Sequence, residues 1–168
     1  MGRLDQRVAF ITGAGAGIAR VSAMLFAREG AKVVIVEINE KTGSATEKAE
    51  REQGGNAIFL RTDITQEDSV IDAVTRATGR FGRIDVLFNC AGGSVVEDSF
   101  ITDVDLDEVW KRTMSLNLYG TMICCRNVIP EIIKAGGGTV INMSSGAALR
   151  GASPAHVYTS AKGAILSL

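Results

Sequence analysis

Apolar residues fall along this chain in two alternating textures. Short unbroken apolar runs at 7–12, 32–37, 57–61, 84–88 and 138–143 have the length of buried strands. Between them, apolar residues recur every three or four positions, as on one helix face. These helical stretches are 17–29, 40–53, 66–80, a longer region within 104–134, and a last one from about 156. Val21, Met24, Leu25 and Phe26 show the spacing in the first. Glycine clusters at 54–55 and 136–138 read as tight connections. Pro130, late in the 104–134 region, marks a kink or an approaching end, because it removes one N–H from the ladder. Strands alternating with helices predict an α/β fold whose parallel sheet has helices on both faces. No repeat, low-complexity segment or domain boundary interrupts the pattern, so residues 1–168 are read as a single domain.

Composition narrows the function classes. With 46% hydrophobic residues and a net charge of −1, the chain has a globular core and no basic footprint for nucleic acid. No apolar run reaches the ~20 residues of a membrane span, and the N-terminus lacks a signal-peptide pattern. Cys90, Cys124 and Cys125 are odd in number, and the adjacent pair bridges poorly, so reduced thiols in the cytoplasm are expected. A lone histidine, His156, and the lack of a Cys/His cluster leave no metal site to propose.

The candidate chemistry starts at the first turn. The strand Arg7 to Thr12 runs into Gly13-Ala14-Gly15-Ala16-Gly17-Ile18-Ala19 and then into a helix. Glycines there let the backbone bend sharply and approach a pyrophosphate, whose charge meets the amides and positive end of the helix. Such a turn alone carries little weight, because many strand-to-helix turns need glycine for a positive φ. The second strand, however, ends in Glu37, twenty residues beyond Gly17, the offset of an acid that hydrogen-bonds a ribose 2′-hydroxyl. A solvated charge at a strand end is the plain alternative. A 2′-phosphate would meet repulsion from that carboxylate. No arginine or lysine occupies 38–40, and Ala16 places no cation in the turn, so NAD is expected in preference to NADP.

Near the other end, Tyr158 and Lys162 stand four apart, on one face if the segment is helical. A free tyrosine titrates near pH ~10, so acid or base work near neutrality needs a drop of roughly 3 units, the direction a neighbouring cation provides. Read alone, the pair is more often a surface tyrosine and lysine.

Six motifs then stand in order: Thr12-Gly13-x-x-x-Gly17-Ile18, Asp63-Ile64, Asn89-Cys90-Ala91-Gly92, Asn117-Leu118-Tyr119-Gly120, Ser144-Ser145 and Tyr158-x-x-x-Lys162. With them, over essentially its whole length, the chain resembles the short-chain dehydrogenases/reductases. The resemblance implies an NAD-dependent oxidoreductase that moves a hydride between the nicotinamide and a secondary alcohol or ketone. Tyr158 would be the acid/base, and Ser145 would hydrogen-bond the substrate oxygen. Lys162 would lower the tyrosine pKa and hold the nicotinamide ribose, while Asn117 would position a water in a proton relay. Gly13, Gly15, Gly17, Ile18 and Glu37 would bind the adenosine and pyrophosphate half, with Asp63 and Ile64 at the adenine. Asn89, Ala91 and Gly92 would line the cofactor near the central strand. Each has a bland counterpart: Asn89 ties strands together, Asn117 caps a local helix break, Ser144 satisfies backbone.

Two positions depart from the family pattern. Ala19 replaces a third glycine and holds the first helix one methyl further from the first strand, at a cost of about 1–2 kcal/mol. Cys90 replaces a second asparagine and is expected to be a buried small hydrophobe without redox chemistry.

The dinucleotide fold has six parallel strands, and five are counted here. The expected architecture is therefore an incomplete Rossmann-like doubly wound sheet, order 3-2-1-4-5, ending in the helix after strand five and lacking the usual C-terminal strands and substrate lid. Such a chain reads as an NAD-dependent dehydrogenase, or else as a catalytically inactive NAD-binding fragment or an interaction module with an open sheet edge. The full-length form is expected to be a homo-oligomer. The pocket segments Gly93 to Phe100 and Gly146 to His156 hold no arginine cluster, which favours a neutral or weakly polar secondary alcohol or ketone. His156 is read as a solvent-facing residue at a helix start.

Overall fold

The computed structural model describes residues 2–150 and 154–168. Strand β1 (Val8–Thr12) is buried along its whole length, as a strand covered on both faces must be. Beside it lie β2 (Lys32–Glu37) and, on the opposite edge, β4 (Val86–Asn89). Outside these come β3 (Asn56–Arg61), next to β2, and β5 (Thr139–Asn142), next to β4. All pairings are parallel, and the order is β3-β2-β1-β4-β5, the Rossmann-like order that the sequence pattern predicts.

The helices are α1 (Gly17–Arg28), α2 (Glu40–Glu52), α3 (Glu67–Phe81), α4 (Leu106–Met114), α5 (Gly120–Lys134), α6 (Gly146–Arg150) and α7 (His156–Ile165). Alternate residues of each strand face opposite layers, as the pleat requires. Val8, Phe10, Val34, Val36 and Leu87 meet Val70, Val74 and Ala77 of α3 and Val128 and Ile132 of α5. Ala9, Ile11, Val33, Ile35 and Phe88 belong to the other layer, with Ala19 and Ala23 of α1. The methyl of Ala19 is thus buried in this layer, at 3% exposure. Full burial of a residue such as Phe10 or Ile11 contributes ~1.5–3 kcal/mol.

At the amino ends of β1 and β4, buried Asp85 accepts from Arg83 Nη2 (2.6 Å), Arg7 Nη1 (2.8 Å) and Val8 N (2.9 Å). Burial pushes its carboxyl up, but these donors outweigh it and hold the pKa below the usual carboxylate range.

Three local features differ from the periodicity. A π-helical segment, Ser115–Tyr119, joins α4 to α5, where the sequence pattern predicts only helices within 104–134. The five-residue α6 is too short to show a period. Pro130 lies within α5, which runs on to Lys134; the missing N–H falls in its closing turns, where little ladder is left to break.

Topology positions the site. The chain steps outward through β1, β2 and β3, then crosses back to lay β4 on the far side of β1. A crevice opens at the carboxyl ends of β1 and β4, where open α/β sheets bind ligands. Among the described residues, no helix is long and apolar enough to cross a membrane.

Candidate active site

A cleft of about 760 Å³ occupies this crevice, with Gly13, Gly17 and Ile18 at one end and Ser145, Tyr158 and Lys162 at the other. Gly13 has φ 72° and Gly17 φ 54°, conformations that favour glycine. A Cβ on Gly13 would stand 2.9 Å from Ala91 Cα, whereas none of the described atoms lies within 4 Å of a Cβ on Gly17. The first glycine therefore lets two turns touch, and the second leaves open space over the start of α1. Buried Thr12 joins the same turns, its Oγ1 accepting from Cys90 N and Ala91 N at 3.1 Å each. The N-cap of α1 is Ala16, with no side-chain cap and no acidic residue in the first turn. A helix start without its own anion suits a phosphate group, so these residues fit a dinucleotide.

Glu37 lines the cleft at the tip of β2. Its Oε2 accepts from Gly15 N at 3.1 Å and its Oε1 from Asn39 N at 2.9 Å, which holds the carboxylate at the tip of β2. Asp63 and Ile64 line a small recess beside Glu37. The Asp63 carboxylate is engaged by Thr65 N (2.9 Å) and Thr65 Oγ1 (2.7 Å). Asn89 is turned away from the cleft: its Nδ2 donates to Asn142 Oδ1 at 2.9 Å and to Cys125 Sγ at 3.4 Å, tying β4 to β5. Ala91 and Gly92 do line the cleft, as does Cys90. Cys90 is half-buried instead of buried, and burial raises its thiol pKa against the opposing charge of Lys162; the thiolate needed for redox chemistry is disfavoured.

The opposite end is built on α7. Lys162 is only 3% exposed. Its Nζ donates to Met143 O at 2.9 Å and lies 5.8 Å from the Tyr158 ring centroid. Burial lowers its pKa, with Cys90 acting in the other direction. Ser144 Oγ donates to Lys162 O at 2.7 Å, so this serine fastens the end of β5 to α7. Ser145 Oγ accepts from Ala147 N at 3.2 Å, which leaves the hydroxyl proton available as a donor.

Asn117 sits in the π-helical segment and is fully buried. Its Oδ1 accepts from Gly93 N at 3.0 Å, and its Nδ2 donates to Gly93 O and Thr113 O, both at 2.9 Å. The side chain therefore clamps the loop after β4. A π turn widens the backbone, a feature frequent at functional sites. Gly92, with φ 154°, passes between: a Cβ there would stand 2.5 Å from Asn117 Oδ1 and 3.1 Å from Lys162 Nζ. Gly92→Ala is expected to destabilise the chain by about 1–3 kcal/mol, read as a lower urea midpoint. Gly93→Ala meets no described atom within 4 Å and is the matched control.

One residue bonded to the Tyr158 helix carries no sequence signal. Asp98, in no motif, accepts from Val157 N at 3.1 Å and Tyr158 N at 2.7 Å. Only its place in the loop after Gly92 could have drawn notice. His156 is half-buried, its Nδ1 accepting from Ile101 N at 3.0 Å and its ring edge-on to Phe100, so it is anchored and not simply solvent-facing. Of the expected pocket segment Gly146 to His156, residues 151–153 lie outside the described residues. Among those described, no group of three or more His, Cys, Asp or Glu side chains could hold a metal ion.

Known proteins share both the sequence and this architecture. The family model described as short chain dehydrogenase matches residues 7–168. An uncharacterized oxidoreductase of Thermotoga maritima is 38% identical over 165 residues, covering 98% of this chain and 63% of its own length. A 3beta-hydroxysteroid dehydrogenase of Mediterraneibacter gnavus is 34% identical over 168 residues, covering 100% of this chain and 60% of its own length. Among solved structures, a 7 alpha-hydroxysteroid dehydrogenase complexed with NADH and 7-oxo glycochenodeoxycholic acid superposes with TM-score 0.90 at 34% identity, covering 97% of this chain and 62% of that one. NAD+-bound xylitol dehydrogenase gives TM-score 0.92 at 29% identity, covering 98% and 63%. The chain thus spans about 60% of the length of the curated relatives it matches. Matched by the family model over nearly all its residues, and carrying the glycine turn and the Tyr158–Lys162 helix on one cleft, the chain belongs to the short-chain dehydrogenase family.

Proposed function

We propose that this chain carries the NAD-binding and catalytic portion of an oxidoreductase that interconverts a secondary alcohol and its ketone. The observation that carries this reading is the buried Lys162 ammonium beside the Tyr158 ring, on the same cleft as Ser145 and the glycine turn. On this cleft Tyr158 takes the alcohol proton in oxidation and returns it in reduction. Ser145 donates its free hydroxyl proton to the substrate oxygen, where charge develops. Met143 O holds Lys162 Nζ in place. Gly13, Gly15, Gly17, Ile18, Glu37, Asp63, Ile64, Ala91 and Gly92 would hold the cofactor, with Asn89 setting the spacing of β4 and β5 from behind. When bound, NAD supplies the hydride acceptor or donor. Asn117, through its grip on Gly93, would keep the path from Lys162 toward solvent open for a water-mediated proton relay.

The choice of NAD over NADP rests on Glu37, whose carboxylate is fixed by two backbone amides where a 2′-phosphate would come. The NADH and NAD+ complexes of the two solved neighbours support the same choice. A neutral or weakly polar alcohol suits a cleft whose substrate end has Lys162 as its cation. The three free cysteines go with a reducing compartment, the cytoplasm. A homo-oligomer is proposed for the full-length form; half-exposed Leu106, Trp110 and Tyr119 supply apolar surface for it.

The test is NAD+ reduction against a panel of secondary alcohols, together with NAD+ and NADP+ affinities of the chain and of Glu37→Ala. NAD+ reduction with at least one alcohol is expected. Glu37→Ala should weaken NAD+ and strengthen NADP+, narrowing their ratio by roughly tenfold or more, the value of one charge-assisted hydrogen bond. An unchanged ratio would remove Glu37 from cofactor choice; neither binding nor turnover would sink the proposal.

A further inference from the structure

Helix α7 has ten residues, too few to hold a fixed axis on its own. Its orientation must come from tertiary anchors. Ser144 and Met143 supply one set, at Lys162. The other is at the N-terminus, where the N-cap is Ala155, with no side-chain cap. There His156 N donates to Ser99 O at 3.3 Å. Val157 N and Tyr158 N donate to the two oxygens of Asp98, at 3.1 and 2.7 Å. The three amides of the first turn are thus satisfied by a segment about 60 residues earlier. Asp98 as a residue is 9% exposed, which strengthens a charge-assisted bond and makes its loss costly. Its negative charge also meets the positive end of the helix.

We propose that Asp98 is the positioning residue of this site: bridging two amides, it fixes the height and rotation of the helix that presents Tyr158 and Lys162. Tyr158 N is itself a donor to the carboxylate, so the phenol belongs to an anchored residue. The segment that carries Asp98 is gripped at its other end by Asn117, through Gly93. Asn117 and Asp98 therefore hold the loop after β4 at two points, and the loop joins the cofactor side of the cleft to α7. The positional role rests on the reading of Tyr158 as the acid/base.

Amide hydrogen exchange of the 168-residue chain, compared with Asp98→Ala and Asp98→Asn, tests the anchor without requiring turnover. In Asp98→Ala the amides of α7 are expected to exchange roughly tenfold faster, the effect of losing a helix cap, while those of β1 and β2 stay unchanged. Asp98→Asn keeps one acceptor and should fall between. In the alcohol assay, Asp98→Ala should lower kcat by roughly tenfold or more. Unchanged exchange in α7 overturns the proposal, as does acceleration spread evenly over the sheet. Wild-type turnover in Tyr158→Phe would instead remove the acid/base reading, while the exchange result would still decide whether Asp98 anchors α7.

Discussion

Tyr158→Phe is expected to lower alcohol-dependent NAD+ reduction by roughly 10²–10⁴-fold, the contribution of a positioned general acid or base. The substitution removes one oxygen and leaves the ring. Lys162 keeps its place 5.8 Å from the ring centroid, its bond to Met143 O and its burial. Asp98 still receives the backbone N–H of residue 158, since that bond does not involve the side chain. Cofactor affinity should therefore stay within about twofold, because Gly13 to Ile18 and Glu37 are on other elements and sites without shared partners act independently. Steady-state rates and NAD+ titrations on the same preparations check both halves. A variant as fast as the parent would mean that the proton leaves by another group.

Glu50→Gln is expected to change how stability depends on pH. Glu50, on the inner face of α2, is 1% exposed, and among the described residues neither carboxyl oxygen has a hydrogen-bond partner. Arg28 lines the same recess but directs its Nε to Met24 O. Burial raises the Glu50 pKa from its ordinary 4.5 to about 7. The folded state then binds the proton more tightly than the unfolded chain does. Its stabilising effect is complete below the unfolded pKa, fades as pH rises from 4.5 through about 7, and is gone above that. The loss over this interval is about 3 kcal/mol. An amide of the same shape carries no proton to lose, so Glu50→Gln should overtake the parent as pH rises. Urea unfolding between pH 5 and 8.5 reads the difference, which cancels groups common to both chains. Parallel curves would show that Glu50 is ionised and solvated throughout.

The fold was legible because both periods report local faces. The unbroken apolar runs in Val8–Thr12 and Lys32–Glu37 place a strand between two layers, and helical spacing in 17–29 covers one of them. Glycines at 13 and 17 announced backbone conformations that the structure has, and Glu37 announced a carboxylate at a strand tip. Tyr158 and Lys162 share a helix face through spacing alone. Asn89 was less legible, since its letter is the same whether the side chain enters the cleft or crosses to Asn142. Strand pleat and neighbours decide that. Asn117 drew attention through its motif, but its π turn and its grip on Gly93 leave no mark in an apolar pattern that continues through α4 and α5.

Sequence alone determined the alternation of strands and helices, the turn chemistry after β1, and the reacting side chains proposed for this family member. Tertiary structure decided how those side chains are held. Asp98 meets α7 across about 60 residues, Thr12 joins two turns across 78 and 79 residues, and Glu50 loses its water to a recess between α1 and the end of α2. Hydrophobic periodicity describes which way a residue faces within its own element. Hydrogen-bond partners and desolvation depend on which other elements arrive there, and only the assembled sheet with its covering helices sets that.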